Sequence, residues 1–381
     1  MHVRILKITR RFPPAIGGVE HQVKEIAVRL AQRGHEVEIC TSDLYSDPPA
    51  FKRLPQDWRD RNVPFKITRY KTIQVPWRNA AEPLSPGMLF SLLHRSLPSI
   101  VHCHGTTMFA LSTWPFIKIR SRWSKTVCTT HVDPSIISGP FIPTMLRRFD
   151  GLVASTEAEL RQLLSLGIAR SKIRVIPVGV DIDSFRELPG RESFRTKLGI
   201  AGNLILYAGR IDIPTKGCDV LVKAVSQAQH FVGPCTLVFA GPDWGAAEYL
   251  HQLSGRENVR VIFTGALTLT DLKSALVACD VFVVPSRKEA SGIASLEAML
   301  CGAPVVATRV GGIQTIVRHQ ETGVLVPAGD HHAMADAIRK ILEEKEFSAR
   351  LAANGKVFAL GFSIDRTVER LEAFYEDILR E

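Results

Sequence analysis

The sequence contains no long hydrophobic run and no leader-like segment. None of its apolar stretches approaches the ~18 consecutive apolar residues that mark a membrane-spanning helix. Residues 1–4 lead straight into an apolar strand, without the basic, apolar and cleavage regions of a signal peptide. We therefore expect a cytoplasmic protein whose attachment to the inner face of the membrane, if there is any, is peripheral.

Cysteine is scarce and shows no pattern of disulfides or metal ligands. The 381-residue chain has 7 cysteines, an odd number, scattered mostly inside apolar runs, which is typical of buried thiols in a reducing compartment. His102, Cys103 and His104 are adjacent, but successive residues of a strand point to opposite faces, and no fourth ligand is spaced to join them. We expect no metal site.

Signatures of nucleotide cofactors and nucleic acid are missing as well. Neither G-x-G-x-x-G nor G-x(4)-G-K-[ST] occurs, which weakens a dehydrogenase or nucleoside triphosphatase interpretation, and no cofactor is expected. The net charge of +10 suits nucleic acid, but no helix-turn-helix, RNA-recognition or zinc-finger pattern accompanies it. We expect no nucleic-acid partner.

The sequence does contain a regular alternation of strands and helices. The strands predicted in the first half are residues 3–9, 36–41, 66–73, 99–103, 126–131, 151–154 and 172–176. Such alternation predicts an α/β protein with doubly wound parallel sheets, whose ligands lie beyond the carboxyl ends of the strands. Glycine-rich or polar segments follow four of these ends: Gly17-Gly18, His104-Gly105, residues 131–133 and residues 155–157.

A second series of strands follows a segment bounded by proline and glycine, residues 176–185. Its predicted strands are residues 204–208, 236–240, 259–263, 281–284, 304–307 and 324–326. We therefore predict an amino-terminal domain (1–180), a linker region (181–202), a second domain (203–360) and a carboxy-terminal helical segment (361–381).

Two glutamates with seven residues between them follow the end of a predicted strand and suggest a site for a long ligand. Glu289 falls in the loop after the strand, and Glu297 falls inside the following helix, so their carboxylates should lie about 10–12 Å apart along the helix axis. That is wider than the ~5–9.5 Å of a glycosidase acid/base pair. Between them, free N–H groups of Ser291, Gly292, Ile293 and Ala294 should favour an anion. The arrangement suits a nucleoside diphosphate sugar.

Two cations upstream fit the same ligand. Arg210 ends a strand after Gly209, and Lys216 precedes Gly217 where the next helix opens. At the carboxyl end of a strand and beside a helix start, both are placed to neutralise a diphosphate and to stabilise it as it leaves.

These motifs together resemble the family 4 retaining glycosyltransferases, whose pattern runs G-R, K-G, then E-x(7)-E, and the resemblance covers nearly the whole chain. It implies the GT-B fold, in which two Rossmann-like doubly wound domains face each other across a cleft that holds the ligand. It also implies that the last helix crosses back to the first domain. No divalent metal is needed in that family, so Asp181 and Asp183 are interpreted as part of a linker signature, P-x-G-V-D-x-x-x-F, and not as a metal-binding D-x-D pair.

The resemblance also implies the roles of single residues. Arg210 and Lys216 hold the diphosphate, Glu289 binds hydroxyls of the donor sugar, and Glu297 binds the ribose. His131 lines the reaction centre, and the Gly17-Gly18 loop closes over the phosphates. The chain departs from the family at Ala290 and Ser291, where a glycine and an aromatic residue are usual, so the contacts to the donor sugar differ.

The partners implied are a nucleotide sugar donor and a sugar or lipid-linked acceptor. Basic and apolar residues interleave in one segment, which suits the surface of an anionic membrane but also an ordinary core helix; the cluster is Trp114, Phe116, Ile117, Lys118, Arg120, Arg122, Trp123 and Lys125. Two alternatives stay open at this stage. One is a nucleotide-sugar epimerase or phosphorylase of the same architecture, and the other is a non-catalytic basic protein that binds membrane or nucleic acid.

Overall fold

The computed structural model describes residues 2–45, 52–55, 58–60, 63–77, 80–131 and 141–381. The chain forms two compact units, one made of Met1–Gly179 with Ile364–Glu381 and the other of Val180–Ser363. Val132 and Asp133, which were expected to contribute to a ligand-binding loop, lie outside the described residues.

The first unit is built on a parallel sheet. Its strands are β1 (Arg4–Thr9), β2 (Glu36–Ser42), β3 (Lys66–Tyr70), β4 (Ile73–Trp77), β5 (Ala80–Leu84), β6 (Ile100–His104), β7 (Lys125–Thr129), β8 (Gly151–Ala154) and β9 (Ile173–Val175). Seven of them form one sheet in the order β3-β2-β1-β6-β7-β8-β9, and every pairing in it is parallel. The other two, β4 and β5, form an antiparallel pair. The order reverses direction between β1 and β6, which is where doubly wound sheets bind their ligands.

Helices cover both faces of this sheet. They are α1 (Gly18–Gln32), α2 (Pro86–His94), α3 (Met108–Leu111), α4 (Thr113–Arg120), α5 (Phe141–Leu146) and α6 (Glu157–Ser165). The inner strands β1, β6, β7 and β8 are buried almost throughout, because a parallel sheet has apolar partners on both sides.

The second unit repeats the plan with six parallel strands. They are β10 (Asn203–Ala208), β11 (Cys235–Ala240), β12 (Arg260–Gly265), β13 (Val281–Val284), β14 (Val305–Thr308) and β15 (Val324–Val326), in the order β12-β11-β10-β13-β14-β15. Its helices are α7 (Arg191–Lys197), α8 (Cys218–Val232), α9 (Ala247–Arg256), α10 (Leu269–Ala278), α11 (Ile293–Leu300), α12 (Ile313–Ile316), α13 (His331–Glu343) and α14 (Lys345–Ala359). Here the order reverses between β10 and β13. The two sheets confirm the predicted α/β class.

The last helix, α15 (Ile364–Arg380), packs in the first unit. Tyr375 lies within 2.6 Å of Nδ1 of His102, and a side chain added at Gly151 of β8 would come within 2.3 Å of Ile378. Only glycine therefore lets this helix lie so close to the sheet. No helix in the described part of the chain is long and apolar enough to cross a membrane.

Two predicted strands end earlier than expected for reasons that the structure shows. Residues 66–73 were predicted as one strand, but β3 ends at Tyr70 because side chains capture the next carbonyls: Ser85 donates to Lys71 O at 2.8 Å and Arg53 to Thr72 O at 2.6 Å. The strand predicted at 126–131 ends at Thr129. His131 lies two residues beyond it with φ of +48°, a left-handed conformation that no strand allows.

The segment 181–202 belongs to the second unit. Its helix α7 is held there by Arg195, which donates to Asp280 at 2.5 Å. The same carboxylate accepts the N–H of Leu204 at 2.7 Å, at the start of β10. Helix α7 is therefore fastened at the amino ends of β10 and β13, the end of the sheet opposite to the predicted site residues.

Candidate functional site

Arg210 is held in place at the carboxyl end of β10 from three directions. Its Nε donates to Asp212 at 2.8 Å, and its guanidinium lies over the ring of Trp244 at 4.0 Å from the centroid. The hydroxyl of Tyr207 donates to the Arg210 carbonyl at 2.5 Å. Both the charge and the backbone of this residue are therefore fixed before any ligand arrives, which is the preorganisation that charge stabilisation requires.

Asp212 links the two predicted cations. Its second oxygen, Oδ1, accepts the N–H groups of Thr215 at 2.7 Å and of Lys216 at 2.9 Å, so one carboxylate shapes the turn and holds Arg210. Burial opposes its ionisation, but the Lys216 N–H, the Arg210 charge and the other hydrogen bonds outweigh burial and lower its pKa. The carboxylate therefore stays ionised at neutral pH.

Lys216 and Glu289 form an ion pair at 2.6 Å between the loops after β10 and β13. The Ser286 hydroxyl lies 3.3 Å from the same carboxylate oxygen, and the Gly292 N–H also bonds to the carboxylate. Burial opposes ionisation of Glu289, yet Lys216 and these donors together lower its pKa. The N–H of Gly292, which was predicted to be free for an anion, is therefore engaged by Glu289 in this ligand-free structure.

Glycine is required at the start of both helices that flank this pair. Gly217 precedes α8 with φ of +63°, and Gly292 precedes α11 with φ of +73°. A β-carbon on Gly217 would lie 2.4 Å from the carbonyl oxygen of Pro285, in the loop that carries Glu289. The two loops can therefore approach each other only because residue 217 has no side chain.

Glu297 lies inside α11, as predicted, and its environment is different. In the part of the chain that the structure describes, no ion pair or side-chain hydrogen bond partner is found for its carboxylate. Burial alone raises its pKa to about 7. The ionised Glu297 carboxylate therefore lacks a hydrogen-bond donor among the described side chains, and it is suited to accept hydrogen bonds from hydroxyl groups of a ligand.

Two further predicted site positions, the Gly17-Gly18 loop and His131, lie in the first unit. Gly17 precedes α1, and a β-carbon there would lie 2.2 Å from Oε2 of Glu20. That glutamate is buried and pairs with the buried Arg11 at 2.7 Å. A side chain at position 17 would therefore displace the Glu20 carboxylate from its buried ion pair with Arg11.

His131 follows β7 and is the last ring of a stack. Its Nε2 lies 3.0 Å from Nδ1 of His104, whose Nε2 lies 3.3 Å from Nζ of Lys7. Lys7 and His104 are buried in the sheet. Burial, followed by the charge of Lys7, lowers the pKa of His131 to about 3, so its imidazole is neutral at physiological pH.

The structure brings some of the predicted residues together and adds others. In the second unit Arg210, Lys216 and Glu289 are joined directly or through Asp212. The sequence interpretation missed Asp212 and Trp244, and also Arg287, which clamps Asp219 at the start of α8 at 2.7 and 2.8 Å. An acidic residue two positions after Gly209-Arg210 was the available signal for Asp212. Trp244 and Arg287 carried no signal, because both act through contacts distant in sequence.

Asp181 and Asp183 lie in a short turn and have partners within it. Asp181 accepts from the Ser184 hydroxyl at 2.5 Å, and Asp183 pairs with Arg186 at 2.8 Å. No group of three or more His, Cys, Asp and Glu suited to hold a metal occurs among the described residues. All seven cysteines are buried and free.

The segment of interleaved basic and apolar residues separates into two sets. Trp114, Phe116 and Ile117 pack on the core, as expected for an ordinary core helix. Lys118 pairs with Asp150 at 2.8 Å, a structural contact within the unit. The side chains that remain exposed at this end of the fold are Ile119 (76%), Arg120, Arg122 and Trp123 (90%), with Phe90 (65%) on the adjacent α2.

Comparison with known families gives two matches along the chain. Residues 16–184 match the family described as Glycosyltransferase Family 4. Residues 202–344 match the family described as Glycosyl transferases group 1. Each match falls on one of the two sheets and includes its candidate site residues.

Similar proteins extend over the whole chain. A D-inositol 3-phosphate glycosyltransferase of Xylanimonas cellulosilytica is 31% identical over 94% of this chain and 91% of its own length. D-inositol 3-phosphate glycosyltransferase 1 of Catenulispora acidiphila is 35% identical over 95% of this chain and 91% of its own.

Solved structures agree on the fold. HepE from Anabaena, in complex with UDP and glucose, superposes with a TM-score of 0.78 over 99% of this chain and 100% of its own, at 24% identity. Sucrose-phosphate synthase from Thermosynechococcus elongatus gives 0.80 over 99% of both chains, at 22% identity. These likenesses confirm the predicted GT-B fold.

Proposed function

We propose that this chain, which belongs to the group 1 glycosyltransferases of family 4, transfers a sugar from a nucleoside diphosphate sugar to an acceptor hydroxyl with retention at the anomeric carbon and without a divalent metal. The matches support glycosyl transfer, and they give no support to the epimerase, phosphorylase or non-catalytic alternatives. HepE binds UDP and glucose, which makes a uridine donor the first to test.

The observation that carries the proposal is the arrangement around Asp212. Arg210 and Lys216 are held by one buried carboxylate at the carboxyl end of β10, the strand at which the order of the sheet reverses. Two fixed cations in that position suit a diphosphate. Lys216 also contacts Glu289, so the diphosphate site and the proposed sugar site adjoin.

In the proposed reaction the bond between the anomeric carbon and the diphosphate oxygen breaks while the acceptor oxygen bonds to the same face of the sugar. The acceptor proton passes to the departing phosphate oxygen. Arg210 and Lys216 stabilise the negative charge that develops on the diphosphate. Glu289 accepts hydroxyls of the donor sugar, Glu297 accepts those of the ribose, the Gly17-Gly18 loop contributes to phosphate binding, and His131 contacts the transferred sugar.

The acceptor is proposed to be a sugar or polyol hydroxyl, either lipid-linked or free. The relatives named above are D-inositol 3-phosphate glycosyltransferases, which makes an inositol phosphate the first free acceptor to test. The exposed Ile119, Arg120, Arg122 and Trp123 favour an acceptor at a membrane, with the protein at its cytoplasmic face. Seven free, buried thiols agree with a reducing compartment.

Replacement of the cations tests the donor site. Arg210→Ala and Lys216→Ala should each lower turnover of a nucleotide sugar by roughly 10²-fold or more, because the leaving group loses charge stabilisation. Wild-type protein should gain about 2.7 kcal/mol of stability from a donor at 100 times its Kd, measured by thermal shift, and both variants should gain less. Arg256→Ala, an exposed change of equal charge on α9, is the control. Lys216→Ala leaves Glu289 without its ion-pair partner, so lost turnover in this variant could come from misfolding. The double variant Lys216→Met/Glu289→Gln has neither charge, and its thermal unfolding shows whether the fold survives without Lys216. Full turnover in both single variants contradicts the assignment.

The pH dependence of donor binding tests Glu297. Its pKa of about 7 means that the carboxyl is largely neutral at pH 6 and ionised at pH 8. If only the carboxylate accepts the ribose hydroxyls, donor affinity should rise about tenfold from pH 6 to pH 8 and then level off. Isothermal titration with an intact nucleotide sugar measures this, and Glu297→Gln should bind weakly with a flat profile. If donor binding by Glu297→Gln kept the wild-type pH profile, the group that titrates would be a residue other than Glu297.

The mechanistic class is tested by chelation combined with product stereochemistry. Protein treated exhaustively with EDTA should keep its full rate, because Arg210 and Lys216 supply the positive charge that a metal supplies in other transferases. Proton NMR of the first product formed should show the anomeric configuration of the donor. Activity lost to EDTA and restored by Mn²⁺ or Mg²⁺, or an inverted product, would each refute this part of the proposal.

Vesicle cosedimentation tests the membrane surface. Binding should rise with the fraction of anionic lipid and fall with added salt, since each Arg near such a surface contributes about 1 kcal/mol within a Debye length of ~8 Å. Arg120→Ser/Arg122→Ser and, separately, Ile119→Ser/Trp123→Ser should each weaken binding by roughly tenfold or more. Arg256→Ser is the control. If the protein does not bind vesicles but transfers sugar to free inositol phosphate, the acceptor is a soluble molecule.

A further inference from the structure

Lys7 is a lysine in the middle of a buried strand. It lies on β1 and is fully buried, and its Nζ contacts Nε2 of His104 at 3.3 Å. In the described part of the chain no carboxylate pairs with it. An amine in such a place is costly to bury, and an apolar side chain of similar length would fill the same space without that cost. The amine therefore calls for a function beyond packing.

The contact continues from Lys7 to the end of the sheet. His104 Nδ1 lies 3.0 Å from His131 Nε2, and the two rings stack at 5.3 Å between centroids. The neighbouring His102 is occupied separately, by Tyr375 at 2.6 Å and Thr129 at 2.8 Å. Lys7, His104 and His131 thus form one line of polar contacts that starts inside the sheet and ends at the half-buried His131.

We propose that Lys7 is a positioning residue which, acting through His104, fixes the ring proton of His131 on Nδ1, so that His131 meets the donor sugar as a hydrogen-bond donor. The contact of His131 with the sugar rests on the proposed function. The choice of tautomer does not, because it follows from contacts within the first unit.

The tautomer follows from what each group can do. An ammonium donates hydrogen bonds and cannot accept them, so a charged Lys7 requires Nε2 of His104 to accept. The proton of His104 is then on Nδ1, which donates to Nε2 of His131. His131 must therefore carry its own proton on Nδ1. Without the lysine the reverse arrangement, in which His131 Nε2 donates to His104, is equally open.

The titratable groups described next to Lys7, His104 and His131 do not take part in the hydrogen bonds between these three residues. Among the residues that the structure describes, the other titratable groups beside this line are His102 on β6 and Tyr375 on α15, and these two contact each other. Burial is the main cause that lowers the pKa of His104 and His131, so both rings stay neutral and the question is only where their protons lie. Burial lowers the pKa of Lys7 to about 7, so the ammonium form remains substantially populated near neutral pH.

Ring-nitrogen NMR tests the tautomer without any assay of activity. In full-length protein labelled with ¹⁵N-histidine at pH 6.5, His131 should show a protonated Nδ1 and an unprotonated Nε2, assigned by comparison with His131→Asn. In Lys7→Met the Nε2-protonated form should appear in at least a comparable amount. Lys7→Gln, which keeps an N–H donor, should restore part of the Nδ1-protonated form and serves as a second variant if Lys7→Met is unstable. Unchanged His131 shifts in folded Lys7→Met would overturn the proposal.

Kinetics connects the tautomer to the reaction. Lys7→Met should lower kcat by about twofold or more, in proportion to the Nδ1-protonated form that is lost, while the Kd for the nucleoside diphosphate stays at the wild-type value. Lys118→Met, which removes a structural cation elsewhere in the same unit, is the control for general loosening. A changed tautomer with unchanged kcat would overturn the positioning role. Wild-type protein that transfers no sugar would instead refute the proposed function and leave the NMR result standing.

Discussion

The buried carboxylate of Asp212 is the contact on which the second unit's site depends. Its two oxygens receive the Arg210 side chain and the backbone of the turn that leads to Lys216, so the positions of both cations are set by one group. Before a ligand is bound, Asp212 compensates the Arg210 charge and Glu289 compensates the Lys216 ammonium. Because the turn is held by its N–H groups, an apolar replacement at position 212 would leave those N–H groups and Arg210 without their acceptor.

The first unit uses buried charge differently. Its Lys7 has no carboxylate partner among the described residues, and the groups around it are imidazoles whose pKa values burial lowers. In such surroundings the lysine acts by directing hydrogen bonds and not by neutralising an anion. The two sheets have similar strand orders, and the first unit combines the buried ion pair of Arg11 and Glu20 with a buried lysine that contacts only imidazole among the described residues.

The sequence was informative where local pattern decides structure. Short β-branched runs identified most strands of both sheets, since a strand buried on both faces must be apolar along its length. The break between β3 and β4 was missed because it depends on Arg53 and Ser85, which reach the carbonyls of residues 71 and 72 from elsewhere in the chain. The G-R, K-G and E-x(7)-E spacing placed Arg210, Lys216 and Glu289 in one site, and the structure brings them together.

What the sequence could not show was contact at a distance. Lys7 and His104 are 97 positions apart and Lys216 and Glu289 are 73 apart, and only the register of parallel strands brings each pair together. Nothing in the sequence around His102-Cys103-His104 indicated that His104 contacts His131 and Lys7 while His102 contacts Tyr375 and Thr129. A lysine inside the apolar strand at residues 3–9 was a visible signal, but its partner could not be named until β1 and β6 were known to be neighbours.

The ion pair of Lys216 and Glu289 sets a condition on the proposed ligand. Each side chain is mostly buried and satisfies the other in the ligand-free protein. A diphosphate that draws Lys216 toward itself leaves Glu289 buried without its cation, and an unpaired buried charge is strongly unfavourable. Sugar hydroxyls beside the diphosphate would supply the missing donors. Under the proposed function, binding of the diphosphate and binding of the sugar would thereby be coupled through one carboxylate, and the intact donor would be favoured over the nucleotide that remains after transfer.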